Sequence, residues 1–373
     1  MENKDQEGLL DMLYFGYEPN VPKSPRMIPN NILKWGRNNL APEEYLYLYY
    51  NSTTHAGIVN KKAQATAGES YEFTNGAAEF FAKDINFSEL FNMVCLDYWL
   101  YNNVSLQVVK KTFENTIHEI LYQDPSLLRK TTDENQYAIC GNWTAQQDSA
   151  LQQYTEYPIT YVNKFNDIGK ITSGFIFKSF NQPGVEFYSY PGYFSCIKSI
   201  ESEIQLIEQQ LNFINNNFTL TSLIKLPTTV NKTQMAEFKQ QMKTQMTGPK
   251  NAGKMLVVTA DGDKAIEVVP ISVPMDFSGI QQGMDLCRTN IIIGHSLASP
   301  MIAGLPSMGG LGNDGSALTL ATEVWMKTQI LPARARLIKI FEELFALAGY
   351  ETEILVKDTK IDQTSTKNIE RKV

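Results

Sequence analysis

Two short stretches of the sequence carry residue types whose spacing could do chemistry. Residues 248–255 read GPKNAGKM and place Gly248, Gly253 and Lys254 at the spacing of a phosphate-binding loop. Residues 291–298 read IIIGHSLA and are similar to the strand and turn that present the nucleophile of a serine hydrolase, here Ser296. Nucleotide hydrolysis and serine hydrolysis are therefore the first two alternatives.

The order of elements around the first stretch argues against a nucleotide site. Residues 231–246 have a helical stripe of Met and Phe after Asn231, a favourable N-cap, and residues 254–269 are typical of two strands about an Asp-Gly turn. A phosphate-binding loop instead follows a strand and precedes a helix, whose N-terminus binds the phosphates. Met255 also stands where that motif needs a Ser or Thr ligand for Mg²⁺. We interpret Gly248 and Pro249 as a helix end.

The second stretch lacks the partner that a serine nucleophile needs. The catalytic histidine of that fold lies downstream of the serine, and no histidine follows His295. Ile280, Met284, Cys287 and Ile291 are spaced four, three and four residues apart, which predicts a helix that ends near His295 rather than a strand. We therefore predict no catalytic residues.

Composition narrows the class of protein further. The net charge of −7 argues against a broad basic face that grips nucleic acid, and 43% hydrophobic residues allow a sizeable core. Four cysteines and three histidines are scattered, so we expect no metal and no cofactor. The sequence shows neither a secretory signal nor a run of 18 apolar residues, so we expect no membrane contact and a reduced cytoplasmic setting.

The N-terminal half mixes helix and strand signals. We expect residues 1–60 to be irregular with one short helix, and residues 86–101 to form a buried helix. Val104, Leu106 and Val108 alternate as in a half-buried strand, and short strands follow as far as residue 180. The fold class that these signals predict is α+β.

A heptad pattern marks the middle of the chain. Six apolar residues spaced three and four apart lie on a helix that is otherwise polar, which predicts either an ordinary amphipathic helix on its own core or lateral packing against another copy of the chain. The six residues are Ile197, Ile200, Ile204, Ile207, Leu211 and Ile214.

A glycine-rich stretch and a proline-containing helix end the recognisable pattern. Residues 298–317 hold five glycines and one charge, and long loops of this kind are uncommon unless they have a function. An apolar helix follows, with Ser316 as its predicted cap, a kink at Pro332 and an end at Gly349.

The ordered string of these features resembles the portal proteins of tailed double-stranded DNA bacteriophages and their prophages. The resemblance is clearest over residues 180–350, through the heptad helix, the "NAGK" and "LVV" segment, the "GLGNDGS" loop and the Pro-kinked helix. Residues 51–69 and 99–109 resemble the N-terminal half of that family.

The resemblance implies a portal-like subunit whose segments have known positions in that family. It implies a wing of helices and strands, two stem helices, a small α/β clip, a tunnel loop and a kinked wing helix. The expected bounds are 1–191 for the wing, 192–217 for stem helix 1, 218–273 for the clip, 274–297 for stem helix 2, 298–316 for the tunnel loop, 317–349 for the kinked helix and 350–373 for a short crown or tail.

The resemblance also implies residue roles. The tunnel-loop residues beside the DNA would be Met301, Ile302, Gly304, Leu305, Ser307, Met308, Gly309, Gly310, Leu311 and Gly312. Packing between the stems of adjacent subunits would use the six heptad residues together with Ile280, Met284 and Ile291. The clip residues would include Phe238, Met242 and Lys254.

The implied function is a conduit rather than an enzyme. Portal proteins form a ring, usually of twelve copies, at one capsid vertex, and double-stranded DNA passes through it without sequence-specific binding. The implied partners are the major capsid or scaffolding protein, the terminase large subunit and a head-tail adaptor. The implied location is the virion, with the host cytoplasm during assembly. A different ring- or shell-forming structural protein of the virion remains an alternative, as do the two enzymes above.

Overall fold

The computed structural model describes residues 27–28, 31–111, 116–146, 157–165, 173–185, 187–215, 221–225, 267–271, 277–304 and 315–358. The chain divides into two compact units. The first comprises Met1–Lys198 and Gly294–Val373, and the second comprises Ser199–Ile293. Helices and strands mix along the sequence, which confirms the predicted α+β class.

Helices near the N-terminus organise the first unit. Ser52 caps the second of them, because its hydroxyl accepts the backbone N–H of His55 at 3.1 Å. The prediction of one short helix within residues 1–60 is therefore wrong, since two helices begin there. The helices are α1 (Ala41–Asn51), α2 (Thr53–Ala67), α3 (Gly76–Asp84) and α4 (Phe87–Tyr101).

The described residues of the first unit also form two antiparallel three-stranded sheets and two strand pairs. The first sheet has the order β5-β4-β9, with β4 (Asn103–Lys110) between β5 (Ile117–Tyr122) and β9 (Ser173–Ser179). The second sheet has the order β6-β7-β8, and β1 pairs with β2. These shorter strands are β1 (Met27–Ile28), β2 (Ile32–Leu33), β6 (Leu128–Lys130), β7 (Gln136–Ile139) and β8 (Thr160–Asn163).

The first half of strand β4 is buried on both faces. Val104, Leu106 and Val108 are at most 1% exposed, but Asn103 and Ser105 on the opposite face are also fully buried. The expectation of a half-buried strand is therefore wrong for this half, whereas Gln107 and Val109 farther along are partly exposed, as the alternation predicts. The reason is the position of β4 as the central strand of its sheet, where the polar side chains bond to backbone: Asn103 donates to the carbonyls of Tyr101 and Ser189.

The C-terminal part of the unit is a helix interrupted by a π-helical turn. Helix α7 (Gly315–Trp325) leads into the turn at Met326–Ile330 and then into α8 (Leu331–Leu347). Pro332 lacks a backbone N–H, and the wider turn just before it accommodates that loss where the sequence predicts a kink. Gly349, at φ +90°, ends the helix as predicted, whereas α7 begins at Gly315, one residue before the predicted cap Ser316.

Aromatic side chains fix α8 against α4. Phe91, Phe341 and Phe345 are fully buried, and the ring of Phe87 lies 5.2 Å from that of Phe341 in an edge-to-face arrangement. Such pairs contribute about 0.5–1.5 kcal/mol beyond the area that they bury. The chain then returns in β12 (Ile354–Lys357), which pairs antiparallel with β3 (Ser70–Phe73).

The second unit contains most of two long helices and a strand pair. Helix α5 (Ile197–Asn215) and helix α6 (Phe277–Gly294) approach closely, since a Cβ added at Gly283 would lie 3.3 Å from Cδ1 of Leu206. Arg288 of α6 lies 3.8 Å from the buried carboxylate of Glu203 on α5. The predicted helix ending near His295 is confirmed by α6. Strands β10 (Thr221–Lys225) and β11 (Glu267–Ile271) pair antiparallel.

Candidate functional site

Helix α2 carries a buried lysine, which is unusual for so polar a side chain. Lys62 is 5% exposed, its Nζ donates to the backbone carbonyl of His295 at 2.6 Å, and it lies 4.5 Å from the centre of the Trp99 ring. Burial lowers the pKa of Lys62 to about 8, because desolvation disfavours the ammonium. The carbonyl and the ring face are the groups that compensate part of that cost.

Two buried histidines meet beside this lysine. Nδ1 of His55, near the start of α2, lies 2.9 Å from Nε2 of His295, just after α6. The ring of Tyr193 contacts both imidazoles: its centroid lies 4.3 Å from that of the His55 ring and 5.2 Å from that of the His295 ring. Burial first, and the Lys62 charge second, lower the pKa of His55 to about 3 and that of His295 well below its ordinary value.

The segment that follows α6 lies on α2. A Cβ at Gly294 would lie 2.4 Å from Cβ of Cys196, so only glycine fits there. A 3₁₀ turn at Pro300–Ala303 ends at Gly304, whose φ is +80°. Nζ of Lys61 donates to the carbonyl of Ile302 at 2.9 Å. Lys61 and Lys62, which are consecutive on α2, therefore bond to backbone carbonyls near both ends of residues 295–304.

This segment contains the first three residues predicted for the tunnel loop. Met301 is 40% exposed, Ile302 is half-buried, and Gly304 has a left-handed backbone conformation. The other seven predicted loop residues lie outside the described residues, so their role stays a prediction. They are Leu305, Ser307, Met308, Gly309, Gly310, Leu311 and Gly312.

The predicted stem residues divide by burial in the single chain. Ile207 and Ile280 are half-buried, Leu211 is 55% exposed, and the side chain of Ile214 lies outside the described residues. Ile197, Ile200, Ile204, Met284 and Ile291 are already buried. Contacts between subunits through the stems stay a prediction. The apolar surface that the single chain leaves open on α6 is Leu286 and Ile293, at 61% and 67% exposed.

Of the two stretches whose residues could do chemistry, the structure describes only the one around Ser296. Residues 248–255 and the predicted clip residues Phe238, Met242 and Lys254 lie outside the described residues. Ser296 is exposed in a left-handed turn (φ +54°) directly after helix α6, whereas a nucleophile turn follows a strand. The Nε2 atom of His295 faces His55, and this partner differs from the serine hydroxyl that a hydrolase requires.

Within the described ranges, no group of three or more His, Cys, Asp or Glu side chains is placed to hold a metal ion. In the same part of the chain, no helix has the length and apolar character needed to cross a bilayer. All four cysteines are buried free thiols.

Sequence reasoning missed His55, Lys61 and Lys62. His55 and His295 are 240 residues apart, and no local pattern pairs them. The available signal was Ser52 as a cap before the run from residue 53 to 67, which would have predicted α2 but not its buried partners.

Comparisons with known proteins find similarity in structure. No protein-family model and no curated protein matches the sequence. A chain in the neck of an empty gene transfer agent particle, computed with C6 symmetry, aligns with a TM-score of 0.55 and 13% identity over 92% of this chain and 89% of that chain. A chain in the virion of the native particle aligns with a TM-score of 0.54 and 14% identity over the same shares.

Two further structures align with lower scores. A chain in the neck of the native gene transfer agent particle, computed with C12 symmetry, has a TM-score of 0.51 and 13% identity over 91% of this chain and 88% of that chain. An HK97 family phage portal protein from Corynebacterium diphtheriae has a TM-score of 0.44 and 7% identity over 87% of this chain and 96% of that chain. This chain therefore shares its fold with chains found in the virion and in the neck of gene transfer agent particles.

Proposed function

We propose that this protein is a portal subunit, which assembles into a closed ring at one capsid vertex and forms the channel through which double-stranded DNA enters and leaves. The observation that carries the proposal is the alignment of 92% of the chain with a chain of a particle neck computed with C6 symmetry, together with the C12 neck. Rotational symmetry of this kind is what repeated head-to-tail contacts between copies of one chain produce when they close into a ring. We expect twelve copies.

Exposed apolar side chains support contacts between copies. Leu286 and Ile293 are seven residues apart on α6, so they lie on one face of that helix, and both are more than half exposed. Leu320 and Val324 on α7 are also exposed, at 63% and 46%. Apolar residues repeated along one helix face are typical of surfaces that another protein covers.

The charge of the chain suits a conduit. Many phosphate contacts from Lys and Arg would hold DNA tightly, since neutralising phosphates releases counterions and drives nonspecific binding. A net charge of −7 and a glycine-rich loop with one acidic residue favour DNA that slides. Residues 298–316 are the proposed tunnel loop, with Met301, Ile302 and Gly304 near its start.

The remaining partners follow from the same proposal. Residues 218–273, with Phe238, Met242 and Lys254, would form the clip on which the terminase large subunit and a head-tail adaptor dock in turn. The wing would contact the major capsid or scaffolding protein. The protein would act in the virion, after assembly in the host cytoplasm, without a cofactor. ATP hydrolysis would belong to the separate packaging motor.

Imaging and packaging test the proposal together. Purified protein, examined by negative-stain electron microscopy across a range of concentrations, should give rings with a central hole. Proheads carrying a deletion of residues 305–312 should keep their rings, because shortening a loop changes closure entropy little, but should package or retain less DNA. Monomers at every concentration would refute the proposal. Rings with unchanged packaging and retention would favour the second candidate, a structural neck ring outside the DNA path.

A further inference from the structure

The contact between His55 and His295 joins two parts of the first unit. His55 belongs to α2, and His295 begins the segment that runs to Gly304. The two side chains are 0% and 3% exposed, and their ring nitrogens lie 2.9 Å apart. Because one imidazole must donate and the other accept across that distance, the contact requires at least one neutral ring.

Within the described part of the chain, no acidic side chain acts on the histidine pair strongly enough to balance an added proton. The titratable or charged groups of the described residues that face it are Lys62 on α2 and, from the segment before α5, Tyr193 and Cys196. The Tyr193 hydroxyl donates to the carbonyl of Leu100 at 2.8 Å, and the Cys196 thiol donates to the carbonyl of Tyr193 at 3.1 Å. Lys62 adds a positive charge to the site.

The unsatisfied atom in the site is informative. Nε2 of His55 is buried without a hydrogen-bond partner. If Nδ1 of His55 carries the proton and donates it to His295, Nε2 is left as an unpaired acceptor. A doubly protonated ring would instead bury a donor and a charge without a partner, which costs much more.

We propose that His55, His295 and Lys62 form a proton-sensitive latch, which holds residues 295–304 on α2 at neutral pH and releases them on acidification. Lys62 donates a hydrogen bond to the backbone carbonyl of His295, and the imidazole of His295 bonds to that of His55. Near the other end of the segment, Lys61 donates to the carbonyl of Ile302. The effect on DNA passage rests on the proposed function, because this segment contains the first residues of the predicted tunnel loop. The latch itself does not depend on that function.

The sign of the pH effect follows from the two states of each histidine. In the closed latch, the pKa of His55 is about 3 and that of His295 is well below its ordinary value, whereas a released histidine has a pKa of about 6.5. Protons therefore bind preferentially to the released state. Between pH 7.5 and 5.0, protonation of His55 multiplies the equilibrium constant for release by about 30. Protonation of His295 raises that constant further, because its pKa is also lowered in the closed latch.

Hydrogen exchange measures the release directly. Backbone amides of residues 295–304 are followed in the full-length protein at pH 7.5, 6.5, 5.5 and 5.0, and the rates are divided by the intrinsic rate at each pH. We expect their protection factors to fall by more than about 30-fold over this range when release is much rarer than closure. Amides of α4, away from the latch, should keep their protection.

Conservative variants separate the latch from general acid sensitivity. Asn places its amide near the position of a histidine Nδ1, and Gln near that of Nε2, so the variants are His55→Asn and His295→Gln. Each single variant should show a smaller fall than the wild type, about 30-fold for His295→Gln, which keeps His55, and the double variant should show none. His118, the remaining histidine of the chain, is exposed on β5, and His118→Gln is the matched control that should behave as wild type.

Three results would overturn the latch. They are pH-independent protection of residues 295–304 in the wild type, an undiminished fall in the double variant, and an equal fall at α4 that reports global unfolding. The assay needs neither ring nor DNA. A failure to form rings would therefore count against the proposed function alone, and a flat exchange profile in intact rings would count against the latch alone.

Discussion

Arg334 of α8 forms an ion pair with Asp358, which lies directly after β12. The same guanidinium donates from Nε to the carbonyl of Thr66 at 2.9 Å and from Nη2 to the carbonyl of Ala65 at 2.6 Å. Those carbonyls belong to the last turn of α2, where a helix has no partners of its own. One side chain thus connects α2, α8 and the end of β12.

Replacing Arg334 should destabilise the first unit strongly. Arg334→Met leaves two buried carbonyls without donors, and we expect a loss of about 3 kcal/mol in the free energy of unfolding. Asp358→Asn should cost about 1 kcal/mol or less, because the Asp358 side chain is 44% exposed. Urea unfolding, followed by circular dichroism, compares the two. Equal losses would show that the ion pair, rather than the helix cap, carries the stabilisation.

The close approach of Gly294 to Cys196 predicts a specific steric effect. Gly294→Ala would place a methyl group 2.5 Å from Sγ of Cys196, and the backbone must move to relieve it. We expect a loss of about 1–3 kcal/mol. The matched control is Gly57→Ala in α2, where the added Cβ meets nothing within 4 Å and should stabilise the helix by up to about 1 kcal/mol.

A compensating substitution tests the cause of that effect. In the double variant Gly294→Ala with Cys196→Gly, the clash is removed, so the two losses should be less than additive. Thermal melting of the four proteins measures the coupling. Additive losses would mean that Gly294 is needed for its backbone freedom rather than for its contact with Cys196.

Asp97 of α4 should make stability depend on pH. It is 3% exposed, its Oδ1 accepts the Tyr122 hydroxyl at 3.2 Å, and its Oδ2 has no partner. Desolvation raises the pKa of this carboxyl well above its ordinary value, with Asp124 adding to the rise. The folded state therefore keeps its proton above the unfolded pKa of about 3.9, and stability falls as pH rises from there through the folded pKa.

Asp97→Asn should remove this loss of stability at rising pH. The variant should be more stable than wild type at pH 7, by about 1.4 kcal/mol for each pH unit over which the wild-type carboxyl is held protonated, and should match it below pH 4. Urea denaturation at pH 3.5, 5 and 7 measures this. Asp84→Asn, at an exposed position ending α3, is the control that should follow wild type. A constant difference at every pH would assign the effect to packing.

The exposed face of α6 predicts the contact between copies. Asp in place of Leu286 and Ile293 would put carboxylates into an apolar interface, at about 2 kcal/mol or more for each buried charge without a partner. We expect sedimentation to show monomers at concentrations where the wild type forms rings. Both positions are exposed in the single chain, so the monomer should melt as wild type does.

The matched control for the interface is Leu355→Asp on β12, 51% exposed, which should leave rings intact. Rings that survive the Leu286→Asp, Ile293→Asp pair would place the contact elsewhere. Ile204, which is 3% exposed in the single chain, suits this test less well because a charge there would disturb the chain itself.

Charge added to the proposed tunnel loop should slow DNA. Ser307→Lys with Gly310→Lys would give every subunit two cations in one narrow ring, and the packaging rate should fall at low salt and recover as salt rises. The control is Ser307→Gln with Gly310→Gln, which adds similar bulk without charge. A packaging assay with assembled proheads measures both. If both variants slow packaging without salt dependence, the added bulk rather than the charge is the cause. If both package DNA at the wild-type rate, residues 307–310 do not lie in the DNA path.

Local patterns predicted those elements that local chemistry controls. Apolar spacing identified α4, α5 and α6, and Pro332 and Gly349 marked the interruption and end of the last long helix. These signals work because helix periodicity, a missing N–H and a left-handed glycine act within a few residues. The ordered string was enough to suggest the portal fold, although no single motif was.

Tertiary structure decided which residues are in contact, and no local sequence pattern contained that information. The heptad pattern that includes Ile204 was compatible with packing in the chain's own core or against another copy of the chain. The structure buries Ile204 in the single chain and leaves Leu286 and Ile293 exposed. His55 and His295 were scattered residues in the sequence, yet folding places their nitrogens 2.9 Å apart. Burial and partner choice depend on every element that packs around a side chain, so a pKa of about 3 at His55 is a property of the fold and not of its sequence neighbours.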